Sequence, residues 1–419
     1  MATRKYLLYM LFIIILLCHY LSFDSHYYEV YNDSSLATDS ELRLSYLKNA
    51  PLWFYETNDT VRSVVISSDG NYILAGCDNF NLYYFETTNP IPLWVYRTNS
   101  EVSFVDISSN GEYCVATCQD ILYLFHRSSS TPIWNYSAED LGEVSISSSG
   151  EYIAASVGRW GGAYGEVLCF HRTNSTPLWI YNASEAILSV QISLSGEFIA
   201  AGGFDSGLYF FNNTNSTPVW NYNMEDAIRD IALSSDGRYL AAKDGKNLYF
   251  FDTSNSSPSW ILLAFRNYKG LAISADGRYI CSSIGFTTQE KVCLFESTSK
   301  FPIWCYGGVG RSIAMSFDGT YIIAAPGNLF SKGGSIPIWT TTHASSKVSI
   351  SSDGNYIVTS ATMDYIGIHL YSLIPLFYVY PISYGNSYFL FFVISIIFLI
   401  FIVIKRLKLN NHNISVHSY

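Results

Sequence analysis

The chain has 419 residues, and its 34 acidic and 24 basic side chains give a formal net charge of −10. This acidity argues against nucleic acid and anionic lipid as partners of the main domain, because both are themselves negatively charged. Hydrophobic residues make up 49% of the sequence, which is enough to build a sizeable core.

Within residues 1–23, an apolar run begins just after Arg4 and Lys5. The run is long enough for a signal anchor, and no small-x-small cleavage site follows it. We therefore predict an uncleaved signal anchor, with a cleaved signal peptide as the alternative. Residues 24–50 are polar and mixed in sign, which predicts a linker.

A short motif, ISSDGNYILAG at residues 66–76, recurs eight times with a period of about forty residues. A second motif, Pro-x-Trp, recurs in step with it. A period of this length indicates a repeat architecture. The motif glycines are Gly70, Gly111, Gly150, Gly196, Gly237, Gly277, Gly319 and Gly354, and the tryptophans are Trp53, Trp94, Trp134, Trp179, Trp220, Trp260, Trp304 and Trp339.

Each repeat has the pattern of four short strands. In the first complete copy these are VVIS (64–67), NYILAG (71–76), LYYF (82–85) and PLWVY (92–96). The SDG between the first two strands is a hairpin-turn signal, since glycine adopts the positive φ that a tight turn needs. The pattern predicts an antiparallel sheet without helices.

Eight such units predict an all-β fold, an eight-bladed β-propeller of four-stranded antiparallel blades. Small residues in the second strand allow neighbouring blades to approach closely. The strand at 51–55 precedes the first turn motif, so we expect it to complete the last blade and close the ring. The seventh unit leaves room only for a short third strand, so seven blades plus a remnant is the alternative.

SSDGNYILAG (67–76) followed by a strand such as ILYLF (121–125) resembles the WD40 repeat, and PLWVY (92–96) is similar to quinoprotein-type, PQQ-like repeats. The resemblance covers roughly residues 51–377 and implies a propeller. It implies little about function, because these propellers include scaffolds, receptors and enzymes. The adjacent Cys-Cys pair of quinoprotein dehydrogenases is absent, so that activity is not inferred, and we predict no enzyme activity and no cofactor.

Residues 387–404 are uncharged and apolar, which predicts a transmembrane helix, and residues 405–419 form a basic tail that begins with Lys405 and Arg406. Basic residues flank both apolar segments on their outer sides. The positive-inside rule then places both termini in the cytoplasm and the propeller outside the cell membrane. Sequons agree with an outside domain. The predicted glycosylation sites are Asn32, Asn58, Asn135, Asn182 and Asn212.

Seven cysteines lie in the propeller region, so at least one is unpaired within the chain. Cys281 and Cys293 fall on consecutive predicted strands, where a cross-strand disulfide is one possibility. The alternative is that all seven are small buried hydrophobes. Cys114 and Cys118 lack the paired spacing of a zinc site, and we predict no metal.

The loops after each Pro-x-Trp share one face of the predicted ring, and their charges change sign along the chain. The later loops are basic, with Arg266, Lys269, Arg311 and His343. This pattern predicts a charged face that orients a polar partner, while ordinary solvated loops are the alternative. The acidic loop residues are Glu56, Asp59, Glu101, Glu139, Asp140, Glu185, Glu225 and Asp226.

The third unit has the longest loop between its second and third strands, VGRWGGAYGE at 157–166. Arg159, Trp160 and Tyr164 are residue types typical of interface anchors, so we predict that they contact a partner. Packing over the blade edge is the alternative. The loop IGFTTQEK at 284–291 is a second candidate.

The favoured function is a membrane-anchored, extracytoplasmic scaffold that binds a protein or a surface glycan. The alternatives are a hydrolase or oxidoreductase that uses the central channel and a structural protein of the cell envelope. A cluster of carboxylates with perturbed pKa at the channel mouth would favour the enzyme.

Overall fold

The computed structural model describes residues 50–158, 162–263, 270–286, 289–308, 310–341, 343, 345–361 and 366–373. The chain divides into two units, Met1–Lys48 and Asn49–Tyr419, and every described residue belongs to the second. The predicted segments 1–23 and 387–404 lie outside this part of the chain. Within it, no helix has the length and apolar character needed to cross a bilayer.

The described residues form 32 strands in eight antiparallel four-stranded sheets, which we call blades 1 to 8. Blade 1 comprises β2 (Val61–Ile66), β3 (Tyr72–Cys77), β4 (Asn81–Glu86) and β5 (Trp94–Arg97); blade 2, β6 (Val102–Ile107), β7 (Tyr113–Cys118), β8 (Ile121–His126) and β9 (Trp134–Ser137); blade 3, β10 (Leu141–Ile146), β11 (Tyr152–Val157), β12 (Gly165–His171) and β13 (Trp179–Ala183); blade 4, β14 (Ile187–Ile192), β15 (Phe198–Gly203), β16 (Gly207–Asn212) and β17 (Trp220–Asn223); blade 5, β18 (Asp230–Leu233), β19 (Tyr239–Lys243), β20 (Asn247–Asp252) and β21 (Trp260–Leu263); blade 6, β22 (Leu271–Ile273), β23 (Tyr279–Phe286), β24 (Gln289–Glu296) and β25 (Pro302–Gly307); blade 7, β26 (Ile313–Met315), β27 (Tyr321–Ala324), β28 (Asn328–Ser331) and β29 (Trp339–Thr340); and blade 8, β30 (Ser345–Ile350), β31 (Tyr356–Ala361), β32 (Gly367–Ser372) and β1 (Trp53–Glu56).

The first strand of the chain closes the ring. β1 pairs antiparallel with β32, with Trp53 opposite Leu370 and Glu56 opposite Gly367. Blade 7 keeps its short third strand, β28, of four residues. All eight blades therefore have four strands, which confirms the eight-bladed prediction and excludes seven blades plus a remnant.

The turn glycines have two functions, and the sequence predicts only the first. All eight have φ between 68° and 79°, the left-handed region that side chains with a Cβ avoid. Each glycine also packs against an aromatic ring of the preceding blade, where an added Cβ would lie within 3.0 Å of a ring atom. The pairs are Gly70 with Tyr356, Gly111 with Tyr72, Gly150 with Tyr113, Gly196 with Tyr152, Gly237 with Phe198, Gly277 with Tyr239, Gly319 with Tyr279 and Gly354 with Tyr321.

Backbone hydrogen bonds join the same turns around the ring. In each blade one turn amide donates to a turn carbonyl of the next blade, and the eighth bond returns to blade 1. This closed belt satisfies backbone groups at the inner end of every blade. The donors and acceptors are Asp69 to Ser109, Ser109 to Ser148, Ser148 to Leu194, Ser195 to Ser235, Ser235 to Ala275, Ala275 to Phe317, Phe317 to Ser352, and Ser352 to Ser68.

The Pro-x-Trp tryptophans join each blade to the next at its outer end. Trp179 shows the arrangement: its ring centroid lies 5.2 Å from that of Phe211 in blade 4, and its Nε1–H donates to the Asn213 carbonyl at 2.7 Å. All eight tryptophans contact an aromatic ring of the following blade. Aromatic residues thus fill the wide part of each wedge between neighbouring blades.

The possible disulfide between Cys281 and Cys293 does not form, because Cys293 forms its disulfide with Cys305. In the β23–β24 ladder Cys293 lies opposite Ser282, one position away from Cys281. One position in a strand turns a side chain to the other side of the sheet. Cys305 lies directly opposite Cys293 on β25, and Cys281 is a buried free thiol.

The stretch 284–291, predicted as a loop, is mostly strand. β23 continues to Phe286 and β24 begins at Gln289, so the sixth blade has a long hairpin here. Only residues 287 and 288 separate the strands, and they lie outside the described residues.

Candidate binding face and channel

Strand direction assigns every connection to one of two faces. The loop face carries the links from the fourth strand of one blade to the first strand of the next, such as residues 57–60 and 98–101. The turn face carries the SDG turns and the links between third and fourth strands. All eight predicted acidic residues lie on the loop face, in the links or, for Glu56, at the end of β1.

The five glutamates among them form an exposed arc, which we call the acidic arc. One glutamate follows each of blades 8, 1, 2, 3 and 4, and all five are exposed. Glu101 lies 3.8 Å from Arg62, an exposed pair that contributes little stability. Arg62 also pairs with Asp78. The acidic arc consists of Glu56, Glu101, Glu139, Glu185 and Glu225.

The three aspartates of the predicted set are partly buried, and they belong to the local loop structure. Asp59 accepts the Thr60 amide at 2.8 Å, and Asp226 accepts the Ala227 amide at 2.8 Å. Asp140 has a left-handed backbone with φ of 55°. Aspartate is common at such positions because its short side chain reaches nearby backbone amides. These three residues shape the loops that present the glutamates.

Tyr164 adds an aromatic ring to the acidic arc. Its side chain is 41% exposed and lies near the carboxylates of Glu139, Asp140 and Glu166. Partial desolvation and these negative charges raise the pKa of the Tyr164 hydroxyl. Arg159 and Trp160, predicted to lie in the same loop, fall outside the described residues.

Of the four residues predicted to make the later loops basic, the structure describes two. Arg266 and Lys269 lie outside the described residues. Arg311 is exposed and lines the central channel. His343 packs against the buried His369, with 4.9 Å between the ring centroids.

The first strands of the blades line a central channel, which contains a cavity of about 400 Å³. Three carboxylates line it: Asp106, Glu143 and Asp230. Each accepts a backbone amide of another blade, Asp106 from Ile146 at 2.8 Å, Glu143 from Val190 at 3.1 Å and Asp230 from Gly270 at 2.8 Å.

These hydrogen bonds have a structural reason. The first strand is the inner edge of its sheet, so its channel-facing amides need partners from outside the ladder. Serines do the same elsewhere: Ser63 accepts the Val105 amide, and Ser349 accepts the Ile66 amide. The channel carboxylates therefore join adjacent blades.

Two groups beside the channel have shifted pKa values. Asp106 faces the lumen but is shielded from bulk water, and this burial raises its pKa to about 6 against the lowering effect of the Ile146, Ile107 and Ser145 hydrogen bonds. Burial lowers the pKa of Lys243 to about 8, and its Nζ donates to the Ser283 carbonyl at 2.6 Å.

Reading the loops alone misses the channel residues, although the repeat contains a signal for them. Glu143 and Asp230 lie seven residues before their turn glycines, and Asp106 lies five before its own. Side chains two apart share a face of a strand. No group of three or more His, Cys, Asp or Glu side chains in the described ranges has the geometry of a metal site.

The predicted glycosylation sites differ in accessibility. Asn58, Asn135 and Asn182 are exposed, and Asn212 is partly buried at the end of β16. Asn32 lies outside the described residues.

Part of the chain matches the model of a known repeat family. The model of the family "WD domain, G-beta repeat" matches residues 50–85, a stretch that runs from β1 through the first three strands of blade 1. No protein among the curated sequences matches the chain.

Proposed function

We propose that this WD40-like, eight-bladed β-propeller is a membrane-anchored, extracytoplasmic scaffold that binds a protein partner through its acidic arc. WD40-like propellers commonly mediate protein interactions. The observation that carries the proposal is the arc itself, with five exposed glutamates on consecutive blade junctions of one face.

The arc is not a requirement of the fold. The glycines, tryptophans and turn serines recur in every blade, whereas the glutamates follow only five consecutive blades. Like charges placed side by side repel one another, so a partner of opposite charge that neutralises them forms a complex of lower electrostatic energy. The same charges guide that partner as it approaches. We infer a partner with a basic surface. A neutral glycan would gain nothing from this charge, so a protein is favoured.

The test compares two variants of equal net charge. The first carries Glu139→Gln, Glu185→Gln and Glu225→Gln on the loop face, and the control carries Glu86→Gln, Glu112→Gln and Glu197→Gln on the turn face. Cross-linking from native membranes with a tag on the C-terminal tail identifies the partner. Its affinity for each variant is then measured at two salt concentrations.

We expect the loop-face variant to bind about tenfold more weakly, because three exposed charge contacts contribute roughly 0.5 kcal/mol each. Its affinity should also depend less on salt. Equal affinity of the two variants would refute the acidic arc as the binding surface. Unchanged binding after enzymatic removal of the partner's glycans excludes a glycan as the ligand.

Membrane anchorage and an outside location are part of the proposal. Their support is the pair of apolar segments with outer basic flanks, together with the Cys293–Cys305 disulfide, a bond typical of oxidising compartments. Exposed sequons at Asn135 and Asn182 agree with that location.

Endoglycosidase digestion of the native protein, compared with an Asn135→Gln, Asn182→Gln variant, tests the outside location. We expect a mobility shift that is smaller in the variant. Digestion of the propeller by a protease that is confined to the cytoplasmic side of sealed membranes would overturn this location.

A further inference from the structure

One exposed position breaks the eight-fold repeat. It is the residue immediately before the proline of Pro-x-Trp. In blades 2 to 5 it is polar: Thr131, Thr176, Thr217 and Ser257. In blades 6, 7 and 1 it is large and apolar: Phe301, Ile336 and Ile91.

These three side chains, which we call the apolar arc, are unusually exposed. Phe301 is 73% exposed, Ile336 is 81% and Ile91 is 68%, the largest values among the exposed large hydrophobic side chains that the structure describes. The residue between the proline and the tryptophan is apolar in seven of eight copies and so belongs to the repeat. The position before the proline does not, so the fold gives no reason for its apolar residues.

The apolar arc lies on both sides of the place where the chain enters and leaves the propeller. Its members lie on the turn face in blades 6, 7 and 1, and blade 8 lies between blades 7 and 1. Blade 8 contains β1 and β32, which run antiparallel, with the Leu52 amide donating to the Leu370 carbonyl at 2.6 Å. β1 begins and β32 ends at the turn face, so Ala50 and Leu373 both lie there.

The apolar segment 387–404 is close to this point in sequence. Thirteen residues, 374–386, separate it from the last described residue, a length that spans at most about 45 Å. A short tether keeps two attached surfaces near each other at high effective concentration.

We propose that the apolar arc contacts the outer surface of the membrane and inserts its side chains at the headgroup–acyl boundary of zwitterionic lipid. The proposal rests on the membrane anchorage proposed above. Moving exposed apolar groups out of water lowers the free energy of the system. The tether of residues 374–386 keeps a bilayer within their reach. Lys300, exposed beside Phe301, keeps its charge at headgroup level while Phe301 inserts.

This contact orients the propeller. The turn face lies on the bilayer, and the loop face with its acidic arc points away from it. A partner can therefore approach the acidic arc without meeting the membrane.

The test uses the full chain in phosphatidylcholine liposomes, with Cys18→Ser so that an introduced thiol is the reactive one. The described free cysteines are buried, and Cys293 and Cys305 are joined. Ile336→Cys is labelled with the fluorophore NBD. Thr176→Cys, at the same position in blade 3, is the matched control. Lipid-borne nitroxide and aqueous iodide serve as quenchers.

We expect nitroxide to quench the label at position 336 at least threefold more than the label at 176, with iodide showing the reverse. Equal nitroxide quenching at the two positions overturns the contact. Protection of position 336 from iodide without nitroxide quenching also overturns it, because protein then covers the arc.

Flotation of the liposomes tests the anchorage separately. Protein that floats without nitroxide quenching at position 336 refutes the lipid contact alone. Protein that does not float refutes both the membrane anchorage and the lipid contact. As a second measurement, the label at Ile91→Cys should lose at least half of its nitroxide quenching in the F301T, I336T background, which reproduces the threonine of blades 2 to 4. Unchanged quenching there contradicts a shared insertion of the three side chains.

Discussion

Replacing the turn glycine of blade 3 tests the account of how the blades are held together. In Gly150→Ala, the added Cβ would lie 2.6 Å from Cδ2 of Tyr113 in blade 2. The backbone φ at this position is 70°. The substitution therefore introduces two separate costs, one within the turn and one between the blades.

Each cost has an expected size. Left-handed backbone costs a residue with a Cβ about 1–2 kcal/mol relative to glycine. Crowding a packed contact costs about 1–3 kcal/mol, because the Tyr113 ring must move. Together they should lower the free energy of unfolding by about 2–5 kcal/mol.

Urea unfolding followed by tryptophan fluorescence measures the loss, since the propeller carries a tryptophan at every blade junction. Gly334→Ala is the matched control, because no atom lies within 4 Å of its added Cβ and its φ is not in the left-handed region. A loss for Gly150→Ala no larger than that of the control would refute the reasoning.

A double-mutant cycle with Tyr113→Ala separates the two costs. Removing the ring abolishes the crowding and leaves the backbone cost, so the double variant should lose about 1–3 kcal/mol less than the sum of the single variants. Strict additivity would show that the glycine is required only for its turn.

Three further predictions follow from single contacts. Trp179→Phe keeps an aromatic ring, a smaller one, but leaves the Asn213 carbonyl without its indole donor, so urea unfolding should show a loss of about 1–2 kcal/mol. Because burial raises the pKa of Asp106 to about 6, above its unfolded value, the folded state holds an extra proton between pH 4 and 6 and loses stability as pH rises through that window. The difference from 3.8 corresponds to roughly 3 kcal/mol, and Asp106→Asn should remove this part of the pH dependence of unfolding. Tryptic digestion without reductant should yield the peptides 292–300 and 301–311 joined through Cys293 and Cys305, and separate peptides would contradict the disulfide.

Features shared by every blade could be predicted from the sequence, and features of a single blade could not. Gly150 and Trp179 each represent a position repeated eight times, and their spacing gives the strand order, the turns and the ring. The disulfide depends on the register of one hairpin, where a shift of one residue turns Cys281 away from Cys293. Strand propensity does not fix register that closely.

The acidic loops show a second limit. Sequence composition groups Asp59 with Glu56, since both carry a carboxylate in the same loop. The structure separates them because the short aspartate side chain reaches the Thr60 amide, whereas Glu56 extends into solvent. The sequence does not single out the channel carboxylates, because they occupy two different positions on one face of the first strand and only some blades place an acid there.

The acidic arc and the apolar arc depart from the eight-fold repeat on opposite faces, and this arrangement predicts that they act independently. Substitutions at well-separated sites add in free energy when they share no partners. The triple glutamine variant should therefore leave nitroxide quenching at position 336 unchanged. The F301T, I336T variant should bind the partner of the acidic arc as tightly as the unsubstituted protein. Loss of partner binding in F301T, I336T would show that the partner reaches the turn face, and it would contradict the division of the propeller into a membrane face and a binding face.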